Sequence, residues 1–240
     1  LYWRFREMFG GYYSSMIVLI PAMIFTMIVQ ARIKRAFSTY IDIENSKGIT
    51  GFEAARTMLD ANGLQQVSIN VLNGDALTNY YDPRSNTVNL SSEIYSQDSV
   101  ASVCIACHEV GHAIQHATSY APVKMRNALV PVTNFAQNAS WPLILLGIVL
   151  SSTTEYGTVF FNIGIFCFVA VVLFHLVTLP VELNASSRAL QQMKALNLVD
   201  DSDYAGSKRV LSAAAMTYVA ALATAAAALI RVLLIRGNRD

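Results

Sequence analysis

The pentapeptide His108-Glu109-Val110-Gly111-His112 sets two imidazoles four residues apart, with a carboxylate beside the first. On a helix, residues four apart lie one above the other on one face, so both imidazoles can reach a single metal ion. Zinc takes neutral imidazole at about 2.0–2.1 Å and favours tetrahedral geometry. Glu109 is then placed to take the proton of an attacking water. The spacing points to Zn2+ held by His108 and His112, with Glu109 as catalytic base. The chain has only four histidines, so two of them in one pentapeptide weigh against a pair of histidines merely satisfied by hydrogen bonds.

A third ligand must come from elsewhere. His116 continues the same helix face but lies about 12 Å from His108 at 1.5 Å per residue, too far to join both other histidines on one ion. The extended metzincin pattern needs glycine at 115 and histidine at 118, where the chain has Gln115 and Thr118. Downstream acids are few: Glu155, Glu182, Asp200, Asp201, Asp203 and Asp240. Glu182 is separated from the histidines by two apolar runs, so it returns to their side of a membrane; Glu155 lies one run away, and Asp200 to Asp203 read as a solvated loop. Glu182 is the expected third ligand, weighed against an interfacial carboxylate at a helix start, which the helix dipole also favours. His175 lies inside an apolar run, where a hydrogen bond between helices is its expected role. Cys104 and Cys107 spell C-x-x-C-H with His108, a haem-attachment pattern that competes for the same histidine. Two small apolar side chains of a buried helix is the better reading.

These residues sit in a chain of 240, of which 54% are hydrophobic and 14% charged; the mean hydropathy is +0.40. Soluble domains carry about 25% charged residues, so the composition points to a membrane-embedded protein with a modest polar part. A net charge of +1 provides no basic field for nucleic acid, and three cysteines are too few for a disulfide framework. Apolar runs of the length a bilayer demands cover 8–31, 127–154, 156–181 and 210–230, the last alanine-rich and weakest. Between them lie a polar domain over 32–126 and a helical stretch over 182–209. Arg32, Lys34, Arg35, Lys124, Arg126, Arg188, Lys194, Lys208 and Arg209 flank the runs on one side, which places the polar domain in the cytoplasm. Arg231, Arg236 and Arg239 conflict with that topology if 210–230 crosses fully, as do Arg4 and Arg6.

Within the polar domain, apolar spacing predicts a helix through TGFEAARTMLDA, ended by Asn62-Gly63. Alternation predicts a strand in VSINVL, and YYDPRSNTVNLS reads as a hairpin turning at Asp82-Pro83. Asp98 is the expected cap of the metal-binding helix, and Pro180 the expected start of the helix bearing Glu182. The returning strand, 87–90, is the expected free edge on which a peptide could pair. Tyr80, Tyr81, Tyr120 and His116 are candidate donors to a developing oxyanion.

The blocks TGFEAARTMLDANGL, LTNYYDPRSNTVNLSSEIY, ACHEVGHAIQHA, NALVPV and LPVELNASSRAL, in that order, resemble the YugP-type neutral zinc metallopeptidases, multi-pass bacterial membrane proteins. The resemblance runs over nearly the whole chain. It implies an α+β protein with three to four transmembrane helices and a gluzincin-like peptidase core. In that core His108, His112 and Glu182 would be the ligands and Glu109 the base. A more distant similarity to HtpX-type membrane proteases, whose later helix carries Glu-x-x-x-Asp, meets Ser186 at the last position. Asn79-Tyr80 stands where the family hairpin often has Asp-His. The expected substrates are membrane proteins or peptides at the bilayer surface, with a regulatory partner or a homo-oligomer as further expectations and no nucleic acid. The rivals are a non-catalytic assembly factor or scaffold with a structural zinc, and a transporter, for which a single titratable group within the runs is thin provision.

Overall fold

The computed structural model describes residues 15–73, 75, 78–150 and 154–237. A 3-10 turn, Ser15–Val18, leads into α1 (Leu19–Ile41), followed by α2 (Gly51–Ala61), β1 (Ser68–Leu72), β2 (Tyr80–Asp82) and β3 (Thr87–Ser91). The chain continues through α3 (Ser92–Ser96), α4 (Val100–Ala117), α5 (Ala121–Leu150), α6 (Tyr156–Ala195) and α7 (Asp201–Gly237). The protein is thus mostly helical with one small sheet. It divides into two compact units.

The first unit is the described part of Leu1–Ile28, Lys124–Leu179 and Tyr218–Asp240. Its core gathers Ile144, Phe161, Phe168, Val232 and Ile235. Gly147 and Gly164 let α5 and α6 close up: a Cβ at Gly147 would lie 2.6 Å from the Phe161 backbone nitrogen. Much apolar surface stays outside, including Phe135 and Phe166 at 66% and 71% exposure. Patches this apolar on a packed bundle mark a surface that meets lipid or protein. Among the described residues, three helical segments are long and apolar enough to cross a membrane: Ser15–Ile41, Tyr156–Ala195 and Asp201–Gly237. Helix α5, which carries the expected span 127–154, is not among them; Asn127, Asn134, Gln137 and Asn138 dilute its apolar run. The weakest run, 210–230, lies inside one that is. The start of the first expected span, with Arg4, Arg6 and Arg239, falls outside the described residues.

The second unit comprises Val29–Val123 and Pro180–Thr217. The polar domain is therefore discontinuous in sequence: 180–217 belongs with it. Its core joins α2, β3 and α4, through Ala55, Met58, Leu90, Val103 and Val110, to Ala189 and Met193 of α6. Helix α2 starts at a capping box, in which Thr50 Oγ1 accepts from the Glu53 N–H and Glu53 Oε2 from the Thr50 N–H. It ends at Asn62, and Gly63 supplies the left-handed turn at φ +71°. The hairpin turns at Asp82, whose carboxylate accepts from the Arg84 N–H and the Ser85 hydroxyl at 2.9 Å each.

Three expectations are corrected here. The sheet order is β1-β3-β2, with β1 parallel and β2 antiparallel to β3. The strand expected as a free edge is therefore the central one, with Val88 and Leu90 fully buried. Ser99, not Asp98, caps α4, its side chain accepting from the Ser102 N–H at 3.0 Å. Pro180 starts no helix but lies inside α6, while 182–209 is broken between Ala195 and Asp201.

Candidate metal centre

Helix α4 carries the H-E-x-x-H sequence on a segment whose opposite side, Val103, Ala106, Cys107 and Val110, is fully buried in the core. That anchoring leaves His108 and His112 on the remaining face, their rings edge to face with centroids 4.8 Å apart. Helix α6 delivers Glu182 to the same place. Its Oε2 lies 3.5 Å from His108 Nε2 and 3.5 Å from His112 Nε2. The three candidate ligand atoms all lie within 4.8 Å of one another.

The approach depends on Gly111. A Cβ there would meet the carbonyl oxygen of Ala185 at 2.6 Å, so only glycine lets the two helices come this close. Glycine costs a helix interior about 0.5–1 kcal/mol relative to alanine, which the close contact must offset.

The donor set fits zinc. Ligands at about 2.0–2.1 Å in a tetrahedron stand about 3.4 Å from one another, close to the 3.5 Å separations between Glu182 and each imidazole. The far side of each ring is also held. His112 Nδ1 lies 3.0 Å from Gln115 Oε1, and His108 Nδ1 lies 3.2 Å from Ser186 Oγ. Outer partners of this kind orient metal-binding imidazoles. Among the described residues the group offers three His, Cys, Asp or Glu donors, which leaves a tetrahedral ion one position for water or substrate. Burial works against a charged His112, but a hydrogen bond donated to Glu182 and the charges of Glu182 and Glu109 outweigh it, so its pKa is raised. Glu109 is itself buried, one residue beyond His108.

A family model described as "Putative neutral zinc metallopeptidase" matches residues 15–237. The chain belongs to this family. It is also 42% identical over 212 residues to "Putative membrane protease YugP" of Bacillus subtilis (strain 168), a match covering 88% of this chain and 92% of that protein. No solved structure matches it.

The other candidates separate from the three donors. His116 is exposed, with Nδ1 3.3 Å from the Tyr81 hydroxyl, which in turn donates to Asn86 Oδ1 at 2.9 Å. Burial and the neighbouring Asp82 charge raise the Tyr81 pKa. The Tyr120 ring faces the Arg188 guanidinium at 5.9 Å, and Tyr80 is exposed. Asp200 caps α7, accepting from the Ser202 and Asp203 N–H groups. Asp203 is engaged by the Ser46 N–H and hydroxyl at 2.7 and 2.6 Å. Glu155 and His175 belong to the other unit. Cys104 and Cys107 are fully buried core residues; burial pushes the Cys104 thiol up to about 12 and Cys107 higher still. Neither is placed to hold a haem or to act as a thiolate. Gln115, Asn184 and the Ser186 hydroxyl also support the site; Ser186 stands at the last position of the Glu-x-x-x-Asp pattern, while Gln115 and Asn184 carry no sequence signal beyond being polar.

Proposed function

We propose that this protein is a membrane-embedded zinc endopeptidase that hydrolyses peptide bonds of membrane-associated proteins at the cytoplasmic face. The observation that carries the reading is the convergence of His108, His112 and Glu182 with a carboxylate, Glu109, beside the first ligand. In this reading the three side chains hold Zn2+. Bound zinc supplies Lewis acidity, which makes a water nucleophilic near neutral pH and polarises the scissile carbonyl. Glu109 takes the proton of the attacking water and passes it to the leaving amine nitrogen. A scaffold with a structural zinc would need no base at 109 and would be expected to close the site with a fourth ligand.

The substrate segment pairs along a sheet edge, as a strand added to the sheet. With β3 flanked on both sides, the edge nearest the site's helix is β2, whose Tyr81 contacts His116 of α4. That contact makes Tyr81 and His116 the favoured pair among the candidate oxyanion donors. Support for a membrane substrate comes from the three apolar helices and from the printed name of the relative. Support for the cytoplasmic face comes from the basic residues that flank the apolar runs. The test is Glu109→Gln in detergent-purified protein: zinc should stay bound while cleavage of a quenched fluorescent peptide is lost. A Glu109→Gln protein that still cleaves contradicts the assignment of the base.

A further inference from the structure

The two histidines of the site are held in different ways. Gln115 is fully buried one helical turn beyond His112. Its amide nitrogen lies 2.7 Å from the Val181 carbonyl oxygen and 3.0 Å from Asn184 Oδ1. A backbone carbonyl can only accept, so the nitrogen of the amide must face Val181, and Oε1 must face His112. Asn184 is set in the same manner: Arg188 Nε, which can only donate, lies 2.8 Å from Asn184 Oδ1. The polarity of the chain from Arg188 through Asn184 to Gln115 is therefore fixed at both ends by groups of a single character.

An amide oxygen at 3.0 Å from His112 Nδ1 requires the hydrogen on that nitrogen. A neutral imidazole protonated at Nδ1 carries its lone pair on Nε2, the atom that lies 3.5 Å from Glu182. His108 has no such guide, because the Ser186 hydroxyl at its Nδ1 can donate or accept.

We propose that Gln115 is a positioning residue for the metal site: it fixes the tautomer and ring plane of His112 and fastens α4 to α6 through Val181 and Asn184. The inference rests on the zinc site proposed above. It makes His112 the ligand whose orientation is set before the ion arrives, and Gln115 the hydrogen-bonding outer partner whose loss weakens zinc binding more than that of Ser186.

The test measures zinc affinity by competition with a chromophoric chelator, alongside thermal unfolding of the metal-free protein. It uses the full chain in detergent. Gln115→Leu removes the acceptor at similar volume and should weaken zinc by about 10–100-fold, the range for losing an outer partner, with metal-free unfolding also lowered because the bonds to Val181 and Asn184 are lost. Gln115→Glu keeps an acceptor for the Nδ1 hydrogen while replacing the amide N–H donors to Val181 and Asn184 by an oxygen, so it separates the tautomer guide from the clamp and should bring affinity back to within about fivefold of wild type. Affinity in Gln115→Leu within twofold of wild type overturns the inference while leaving the metal site standing. So does a Gln115→Glu protein as weak as Gln115→Leu, because a mere clamp between helices is not rescued by an acceptor. Failure of the wild type itself to bind zinc overturns the metal reading and this inference together. Should Gln115→Leu not fold, Gln115→Met, matched in length, is read by the same criteria.

Discussion

Gly111→Ala tests whether the close approach of two helices assembles the metal site. The new Cβ would lie 2.6 Å from the Ala185 carbonyl oxygen, where ordinary contact begins at 3.4 Å, so the pair must part by up to 0.8 Å. The oxygen is backbone, and no rotamer change relieves it. Glu182 lies less than one turn from Ala185 on the same helix, and its Oε2 stands 3.5 Å from each Nε2. Two donors on one zinc at about 2.1 Å can be no more than about 4.2 Å apart, and then only in a straight line. A retreat of the full amount would exceed that limit, while side-chain adjustment recovers part of it. Zinc affinity should fall by about 10–100-fold, comparable to loss of an outer partner. Overpacking costs about 1–3 kcal/mol, but the alanine returns about 0.5–1 kcal/mol of helix preference. Metal-free stability should therefore fall by no more than about 2.5 kcal/mol. Chelator competition on detergent-purified protein measures the affinity, with Gly237→Ala, where nothing lies within 4 Å, as control. Wild-type affinity in Gly111→Ala would refute the claim that this contact sets the ligand spacing.

Glu109→Gln should lower peptidase turnover by about 10²–10⁴-fold with zinc content unchanged, read from a peptide-cleavage assay and metal analysis of the same sample. Ser186→Ala should weaken zinc by about tenfold, less than Gln115→Leu in the same chelator competition. The buried cysteines give a pH dependence: their folded pKa values are raised above the unfolded ones. Their contribution to stability is full below about pH 8.5, the ordinary thiol value, and is lost as pH rises toward the folded values. Thermal unfolding of the wild type should fall between pH 8 and 10, and a Cys104→Ala, Cys107→Ala double variant should show a shallower decline. Thr50→Ala removes the capping box of α2 and should cost about 0.5–2 kcal/mol, measured by denaturant unfolding of the metal-free protein.

Local signals in the sequence were enough for the elements whose physics is local. The spacing of His108 and His112 demands a helix with both rings on one face. Apolar spacing and the Asn62-Gly63 stop mark α2, and the Thr50–Glu53 capping box that starts it is equally local. Glu182 was reached by counting apolar crossings in a chain with few acids, and the fold brings its carboxylate to both imidazoles. What escaped depends on contacts between distant segments. Nothing near residues 87–91 announces that β1 pairs beside them in parallel, so β3 was taken for an edge. Pro180 reads as a helix start because its missing N–H breaks a local rule, yet α6 runs through it to Ala195. Gln115, Asn184 and Ser186 acquire meaning only once α4 lies against α6, and that contact is licensed by Gly111, a residue inside the very motif that was read for its histidines.

The proposed zinc site is built from His108, His112 and Glu182. Metal content by inductively coupled plasma mass spectrometry tests it most directly, on detergent-purified wild type, His112→Ala and Glu182→Ala proteins, each checked for folding. About one zinc per chain is expected in the wild type, as a site with three protein ligands would hold, and marked loss in both variants. Full zinc in Glu182→Ala, or none in the wild type, would contradict it.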